Sequence, residues 1–304
     1  MTDVKVPGGV NWTAFTTARG RAQESLRADR LFDDPVAGVF LGEAIAAQAR
    51  NGTEGLSVRP VHREGISRLA DMFSYYFMIR TPFYDERIVQ GVEAGCRQVV
   101  LLGAGLDSRA FRLGLPAGVT VFEVDQAPVL EFKDAVLAKH GTVPTCRRVP
   151  VAADLRGQWP EVLAAAGFDA AAPAMWVAEG LLPYLPADDC DRLLDITARM
   201  SPPGSRFASE YFVRAPVESD AVNDSSSVRD RERWRSVLKM FNTGPVAASP
   251  AAWLSAHGWM AGHVSSVARE GQARGRPAPD AFARPGGMEV WLFDATNLIG
   301  RSYE

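Results

Sequence analysis

The stretch that most limits what this chain can fold into is Gln98-Val99-Val100-Leu101-Leu102-Gly103-Ala104-Gly105-Leu106-Asp107-Ser108-Arg109. Residues 99–102 are apolar without alternation, as in a parallel strand covered by helices on both faces. The run ends at Gly-Ala-Gly, where glycine permits a sharp turn and leaves room for a ligand to approach the main chain. A second strand, Thr120-Val121-Phe122-Glu123-Val124-Asp125, ends in acid 20 residues past Gly105. A glycine-rich turn after one strand and a carboxylate after the next is the layout of a nucleotide site, with the acid taking the ribose hydroxyls.

Gly-x-Gly by itself is a weak signal. Ser108 stands where the third glycine of the dinucleotide fingerprint would fall. This disfavours NAD and FAD and fits S-adenosylmethionine, which has no pyrophosphate to cradle.

The rest of the chain supplies an α/β alternation. Strands are expected at 99–102, 119–124, 147–152, 174–178 and 205–212, with helices from about 108 and at 129–139, 159–166 and 187–200 between them. This βαβ order implies a parallel sheet. Asp154 and Glu179 follow the third and fourth strands, at the carboxyl ends where ligands bind in open α/β sheets. Two further strands, about 260–267 and 287–294, have no crossover helix between them in this reading, so an antiparallel strand completes the sheet. The intervening 269–286, rich in Gly, Pro and Arg, reads as a flexible loop. Ahead of the first strand, the pattern predicts a loose 1–10, a helix over 12–26 capped by Asn11, a turn at 29–35, and a helix opened by Pro35. A loop at 51–59 and a helix over 61–91 follow, the latter ended or kinked at Arg80-Thr81-Pro82 and restarted at Phe83. The polar 213–250, with a helix around 228–241, reads as a lid insertion. A helix at 253–257 is closed by Gly258.

Composition narrows the function classes. Among 304 residues, 47% are hydrophobic, enough for a real core, and the formal charge is −3. With no basic stripe, nucleic acid is not an expected partner. Three separated cysteines (Cys96, Cys146, Cys190) argue against a disulfide framework, and the four histidines lack metal-ligand spacing. No charged-then-apolar leader and no long apolar run is present, so the expectation is a cytoplasmic protein with no membrane partner.

Several motifs together resemble the leucine carboxyl methyltransferase superfamily: residues 102–109, Phe122-Glu123-Val124-Asp125-Gln126-Ala127-Pro128, Ala178-Glu179-Gly180-Leu181-Leu182-Pro183-Tyr184-Leu185, Arg30-Leu31-Phe32-Asp33-Asp34-Pro35, and Arg80-Thr81. Within it, the bacterial polyketide-type O-methyltransferases, such as the tetracenomycin carboxyl methylase, are the most similar branch. The resemblance runs from about residue 12 to the helix near 200, and past that only the stretch 253–259 matches well. It implies a class I methyltransferase (Rossmann-like) fold with a mostly parallel seven-stranded sheet. A helical cap at 1–92 would precede a core at 93–304 that carries the 213–250 lid. It implies S-adenosyl-L-methionine as cofactor, with Gly103 and Gly105 passing under its methionine and ribose, Asp125 on the ribose hydroxyls, and Asp154 with Leu155 at the adenine. Arg80, helped by Arg21, would pair with the methionine carboxylate. Glu179 would face the cofactor's amino group or the acceptor, and Tyr184 would lie near the acceptor.

Each role has a plainer rival. Arg80 can complement a helix dipole, Asp107 can cap the helix it opens as readily as contact a cofactor, and Tyr184 is as readily packing as function. The aromatic face of 72–77 reads as core, with Tyr75 or Tyr76 within reach of the site. The acidic turn at 29–34 reads as surface. The expected reaction is methylation of a small carboxylate, such as a polyketide-type acid of secondary metabolism, by a monomer or homodimer. A carboxylate is ionised at neutral pH and needs no general base. A phenol would need one, for which His140, His257 or His263 would have to serve. The alternatives are phenol methylation, a nucleotide-cofactor oxidoreductase, a binder without catalysis, and a protein C-terminal carboxylate as acceptor.

Overall fold

The strands are β1 (Gln98–Leu102), β2 (Thr120–Asp125), β3 (Arg147–Ala152), β4 (Ala174–Ala178), β5 (Arg206–Phe212), β6 (Met260–Ser266) and β7 (Val290–Thr296). They belong to a computed structural model that describes residues 12–50, 68–213, 217–218, 228–242, 244–247, 249–283 and 286–297. Among the described residues these seven strands form one sheet in the order β3-β2-β1-β4-β5-β7-β6. β1–β2, β2–β3 and β4–β5 pair in parallel, and β7 runs antiparallel to both β5 and β6. Every residue of β1 and of β4 is buried, which is why neither strand alternates in sequence. The expected 1–10 segment, the Asn11 cap, the 51–59 loop and residues 223–227 of the insertion lie outside the described residues.

The chain divides into two compact units: residues 1–61 with 97–168, and residues 62–96 with 169–304. In the first, α1 (Trp12–Ser25) and α2 (Pro35–Arg50) pack with α5 (Ala127–Lys139); the short α4 (Arg109–Arg112) and α6 (Trp159–Ala165) complete its helices. Phe15, Ala18 and Ala22 recur at helical spacing and meet Phe40, Leu41, Phe132 and Val136 in one apolar cluster. Phe15 and Phe132 make an edge-to-face pair with centroids 5.5 Å apart. Burying each such large side chain contributes about 1.5–3 kcal/mol.

The acidic turn is not a surface feature throughout. Asp34 is fully buried. Its Oδ1 accepts the Ala37 N–H (2.9 Å) at the start of α2, while Oδ2 accepts the Ser108 hydroxyl (2.6 Å) and lies 3.3 Å from Arg21 and 3.5 Å from Arg112. The motif before Pro35 is thus an interior hub joining α1, α2 and the start of α4, because one carboxylate serves as cap and counter-ion together.

In the second unit, α3 (Arg68–Glu93) runs through Pro82 as one helix, so it neither ends at Arg80-Thr81-Pro82 nor restarts at Phe83. Interior proline costs about 3 kcal/mol. The turns beside it are held by fully buried Ile79, Phe83, Tyr84 and Ile88, and the Thr81 hydroxyl donates to the Phe77 carbonyl (2.7 Å). Nor is the described part of 269–286 a plain loop. It contains most of α10 (Val267–Ala273), capped by the Ser266 hydroxyl on the Arg269 N–H (3.3 Å), and α11 (Asp280–Ala283). Ala281 and Phe282 are buried, and Tyr75 donates to the Arg276 carbonyl (3.2 Å). Tertiary burial overrides the Gly-Pro-Arg composition there. The unit's other helices are α7 (Ala187–Arg199), α8 (Val228–Leu238) and α9 (Pro250–Ala256).

Candidate active site

In the first unit, the chain turns at the carboxyl end of β1 through Gly103 (φ 67°) and Gly105 (φ 49°), left-handed conformations that favour glycine. The N–H groups of Gly103 and Ala104 both reach the Val124 carbonyl (2.9 and 3.1 Å). The Gly105 N–H donates to Asp125 Oδ2 at 2.6 Å, and the Gln126 N–H to Oδ1 at 2.7 Å. The glycine turn and the acid after β2 are therefore locked to one another. Burial pushes the Asp125 carboxyl above its ordinary pKa, and these two N–H donors pull it back.

The neighbours of this turn are engaged locally. Asp107 Oδ1 accepts the Arg109 N–H (2.7 Å) and Oδ2 pairs with the Arg109 guanidinium, but the N-cap of α4 is Ser108, so Asp107 braces the turn from one residue ahead of the cap. Burial alone would raise its pKa, but Arg109, Lys133 and Arg21 bring it down to about 2. Arg21 is buried and donates to the Leu106 carbonyl at 2.6 Å, bracing the turn from behind. Asp154 is exposed and accepts the N–H and guanidinium of Arg156 (2.9 and 2.7 Å); Leu155 beside it is half-exposed.

The second unit gathers charge around Arg80. Tyr76, Arg80 and Tyr84 are four residues apart and share one face of α3. The Arg80 Nε lies 3.0 Å from Glu179 Oε1, just past β4, and Nη1 lies 3.8 Å from Glu210 Oε1 on β5. The guanidinium carbon sits 4.6 Å from the Tyr76 ring and 4.9 Å from the Phe77 ring. Burial works against the charge of Arg80, but Tyr76, Glu179 and Glu210 outweigh it and hold its pKa above the ordinary value. Around it runs a chain of ring contacts: Tyr76 to Phe212 (5.9 Å), Phe212 to Phe241 (5.8 Å) and Phe241 to Tyr184 (5.2 Å). Burial pushes the Tyr184 phenol up to about 12. Backbone bonds from Asn242 N–H to the Pro183 carbonyl (2.8 Å) and from Gly244 N–H to the Leu185 carbonyl (3.0 Å) tie the end of the 213–250 insertion to the Tyr184 segment.

The structure thus joins Gly103, Gly105 and Asp125 in one set, with Asp107 and Arg21 bound close behind them, and Arg80 with Glu179 in another. Tyr184 stands beside the second set through its ring contacts. The sequence reading missed Glu210 and Tyr84. Their signal was present: a carboxylate in the middle of a strand rich in aromatic residues, and a tyrosine one helical turn from Arg80. His140, His257 and His263 each pair with a carboxylate instead, Glu43, Asp195 and Glu270, at 2.8, 2.8 and 2.7 Å. Among the described residues there is no His, Cys, Asp and Glu group able to hold a metal ion.

A mostly parallel seven-stranded sheet with a glycine turn bonded to a strand-end carboxylate is the frame of a class I, Rossmann-like methyltransferase. Comparison with known proteins gives the particular family. The model of the leucine carboxyl methyltransferase family matches residues 14–198. A Mycolicibacterium smegmatis protein named as an S-adenosyl-L-methionine-dependent methyltransferase is 42% identical over 300 residues, spanning 94% of this chain and 92% of its own length. A Mycobacterium tuberculosis protein of like name is 43% identical over 274 residues, spanning 89% and 86%. A crystal structure from Thermobifida fusca described as a methyltransferase has TM-score 0.53 at 18% identity, covering 96% of this chain and 98% of that one. A DUF574 family protein from Streptomyces avermitilis gives 0.51 at 16%, covering 92% and 97%. These last two likenesses are of fold. The chain belongs to the leucine carboxyl methyltransferase family and is an S-adenosyl-L-methionine-dependent methyltransferase.

The residues present fit that cofactor. Among the described residues, only the Gly103 carbonyl (3.9 Å) and the Ala14 methyl (3.8 Å) come within contact distance of a Cβ placed at Gly105, which leaves the turn's main chain room for close approach. Asp125 keeps acceptor lone pairs beyond the two given to N–H groups.

Proposed function

We propose that this methyltransferase esterifies a carboxylate on a small, flat, aromatic acid of the polyketide type, a product of secondary metabolism. The observation behind the carboxylate is one of placement: no described histidine belongs to the Arg80–Glu179 cluster, His140, His257 and His263 lying against Glu43, Asp195 and Glu270. An acceptor that is already ionised needs no base, and positioning then carries the catalysis. The aromatic chain from Tyr76 to Tyr184 supports a planar acceptor. The main rival remains a phenolic hydroxyl.

When bound, S-adenosyl-L-methionine supplies an electrophilic methyl group on a sulfonium. The roles we assign to this chain are as follows. Gly103 and Gly105 let the cofactor lie close to the main chain. Asp125 accepts from the ribose hydroxyls, and Asp154 with Leu155 holds the adenine, which requires Asp154 to exchange its contact with Arg156. Arg80 holds the methionine carboxylate and Glu179 the amino group. Arg21 and Asp107 support the turn from behind. Tyr184, with its pKa near 12, stays protonated at neutral pH and donates a hydrogen bond to the acceptor. A water-poor site favours charge neutralisation between carboxylate and sulfonium. The division into a helical cap (1–92) and a core (93–304) with a lid (213–250) belongs to the same proposal, as do a cytoplasmic location and a monomer or homodimer. Among the described residues, no helix is long and apolar enough to cross a membrane.

The test is calorimetric titration with S-adenosyl-L-methionine, and NADH as control, followed by turnover on aromatic acids and phenols. We expect micromolar cofactor binding, weakened at least tenfold in Asp125→Ala, and methyl esters as products. Transfer to phenols alone would overturn the carboxylate reading. Unchanged binding in Asp125→Ala would remove that residue from the site.

A further inference from the structure

β5 carries a glutamate among residues that otherwise suit a strand interior. Ala208, Glu210 and Phe212 share one face of the strand, and Glu210 is completely buried. A buried carboxylate without partners is strongly unfavourable, and an apolar side chain of similar size serves stability as well or better. Stability alone therefore does not account for Glu210.

Its contacts are informative. Oε2 accepts the Tyr84 hydroxyl from α3, Oε1 accepts the Gly180 N–H at 2.5 Å, and the same oxygen lies 3.8 Å from Arg80 Nη1. One side chain thus reaches both the cation and the turn that carries Glu179. Gly180 has φ 65°, and a Cβ there would lie 3.1 Å from both terminal nitrogens of Arg80. The guanidinium is bounded by Glu179, Glu210, Gly180 and the rings of Tyr76 and Phe77.

We propose that Glu210 is a positioning residue, fixing Arg80 and the Glu179–Gly180 turn in one geometry so that cation and carboxylate form a single receptor for the α-amino-acid end of the cofactor. This rests on the assignment of Arg80 to the cofactor carboxylate. Glu210 does not touch the cofactor in this arrangement; it acts through Arg80 and the Gly180 N–H. The charged and titratable groups around it are Tyr76, Arg80 and Tyr84 from α3, Glu179 after β4, and Tyr184.

Two probes separate positioning from folding: S-adenosylhomocysteine, which has the amino-acid end, and 5′-methylthioadenosine, which lacks it. We expect Glu210→Gln to weaken S-adenosylhomocysteine binding tenfold or more, while 5′-methylthioadenosine affinity changes less than twofold. The double variant Arg80→Ala/Glu210→Gln should bind S-adenosylhomocysteine no more weakly than Arg80→Ala. Equal losses for both probes, no loss, or additive losses in the double variant would each overturn the proposal. If Arg80→Ala leaves S-adenosylhomocysteine binding intact, the assignment of Arg80 itself fails, and the positioning role falls with it. If Arg80→Ala weakens binding and Glu210→Gln does not, only the positioning role fails.

Tyr84→Phe provides a second route should Glu210→Gln not fold. Burial raises the Glu210 pKa, while Arg80 and then the Tyr84 hydrogen bond lower it. Holding Arg80 requires the ionised carboxyl, so S-adenosylhomocysteine affinity should fall as pH drops through this pKa. Loss of the Tyr84 donor should move that acid limb upward by about half a pH unit, and an unmoved limb would overturn the role.

Discussion

At the scale of single residues, the strand-end acids were legible and the buried ones were not. Asp125 follows an apolar run and a glycine turn, so its place at the carboxyl end of a central strand can be read directly. Glu210 gives no such cue, because period-2 alternation places it on a face without saying that a cation waits there. Gly180 is a sensitive point of the same cluster. A side chain there meets two penalties: a left-handed backbone, unfavourable by roughly 1–2 kcal/mol for other residues, and a contact 3.1 Å from the Arg80 nitrogens. We expect Gly180→Ala to lose about 1–2 kcal/mol in urea unfolding and to weaken cofactor binding severalfold. Wild-type behaviour in both measurements would show that the turn relaxes freely.

At the scale of elements, sequence periodicity located the helices and strands well where packing agreed with local preference. It failed where packing overrode it: of the end or kink expected at Pro82, the end does not occur, and α3 continues among buried Ile79, Phe83 and Tyr84. Residues 269–283 misled in the same way, since Tyr75 and the burial of Phe282 hold their helices in place. Asp34 shows how much one element start can hold. We expect Asp34→Ala to lose about 3–5 kcal/mol, because the change removes a helix cap and leaves Arg21 and Arg112 without their shared carboxylate. Denaturant midpoints measure this, and a loss under 1 kcal/mol would mean that the two arginines find other partners. Asp34→Asn, which keeps a capping oxygen, should recover part of the loss.

At the scale of the whole molecule, the fold class was legible because βαβ alternation and strand-end acids are long-range regularities written locally. The division into compact units was not, since contacts between residues 1–61 and 97–168 leave no local mark. Phe15, Val36, Phe40 and Leu41 cover Phe132, Val136 and Leu137. At about 1.5–3 kcal/mol for each large apolar side chain, losing that cover rivals the whole stability of an ordinary domain. A chain lacking residues 1–50 should therefore be aggregated or dye-binding with weakened near-ultraviolet dichroism. A monomeric, cooperatively unfolding product would show that this cluster is dispensable.

The interleaving of the two units also has a consequence on the ribosome. The first unit has all its residues once position 168 has emerged, but α3, made earlier, must wait for the strands after 169 that share its unit. Arg80 waits for Glu179 and longer still for Glu210, 130 residues downstream, with its apolar neighbours uncovered. Synthesis thus leaves a long, greasy helix stranded midway through the nascent chain. That interval is when chaperone contact or pausing would matter most, and ribosome-bound chains halted near residues 170 and 260 should differ most sharply in protease cleavage within α3.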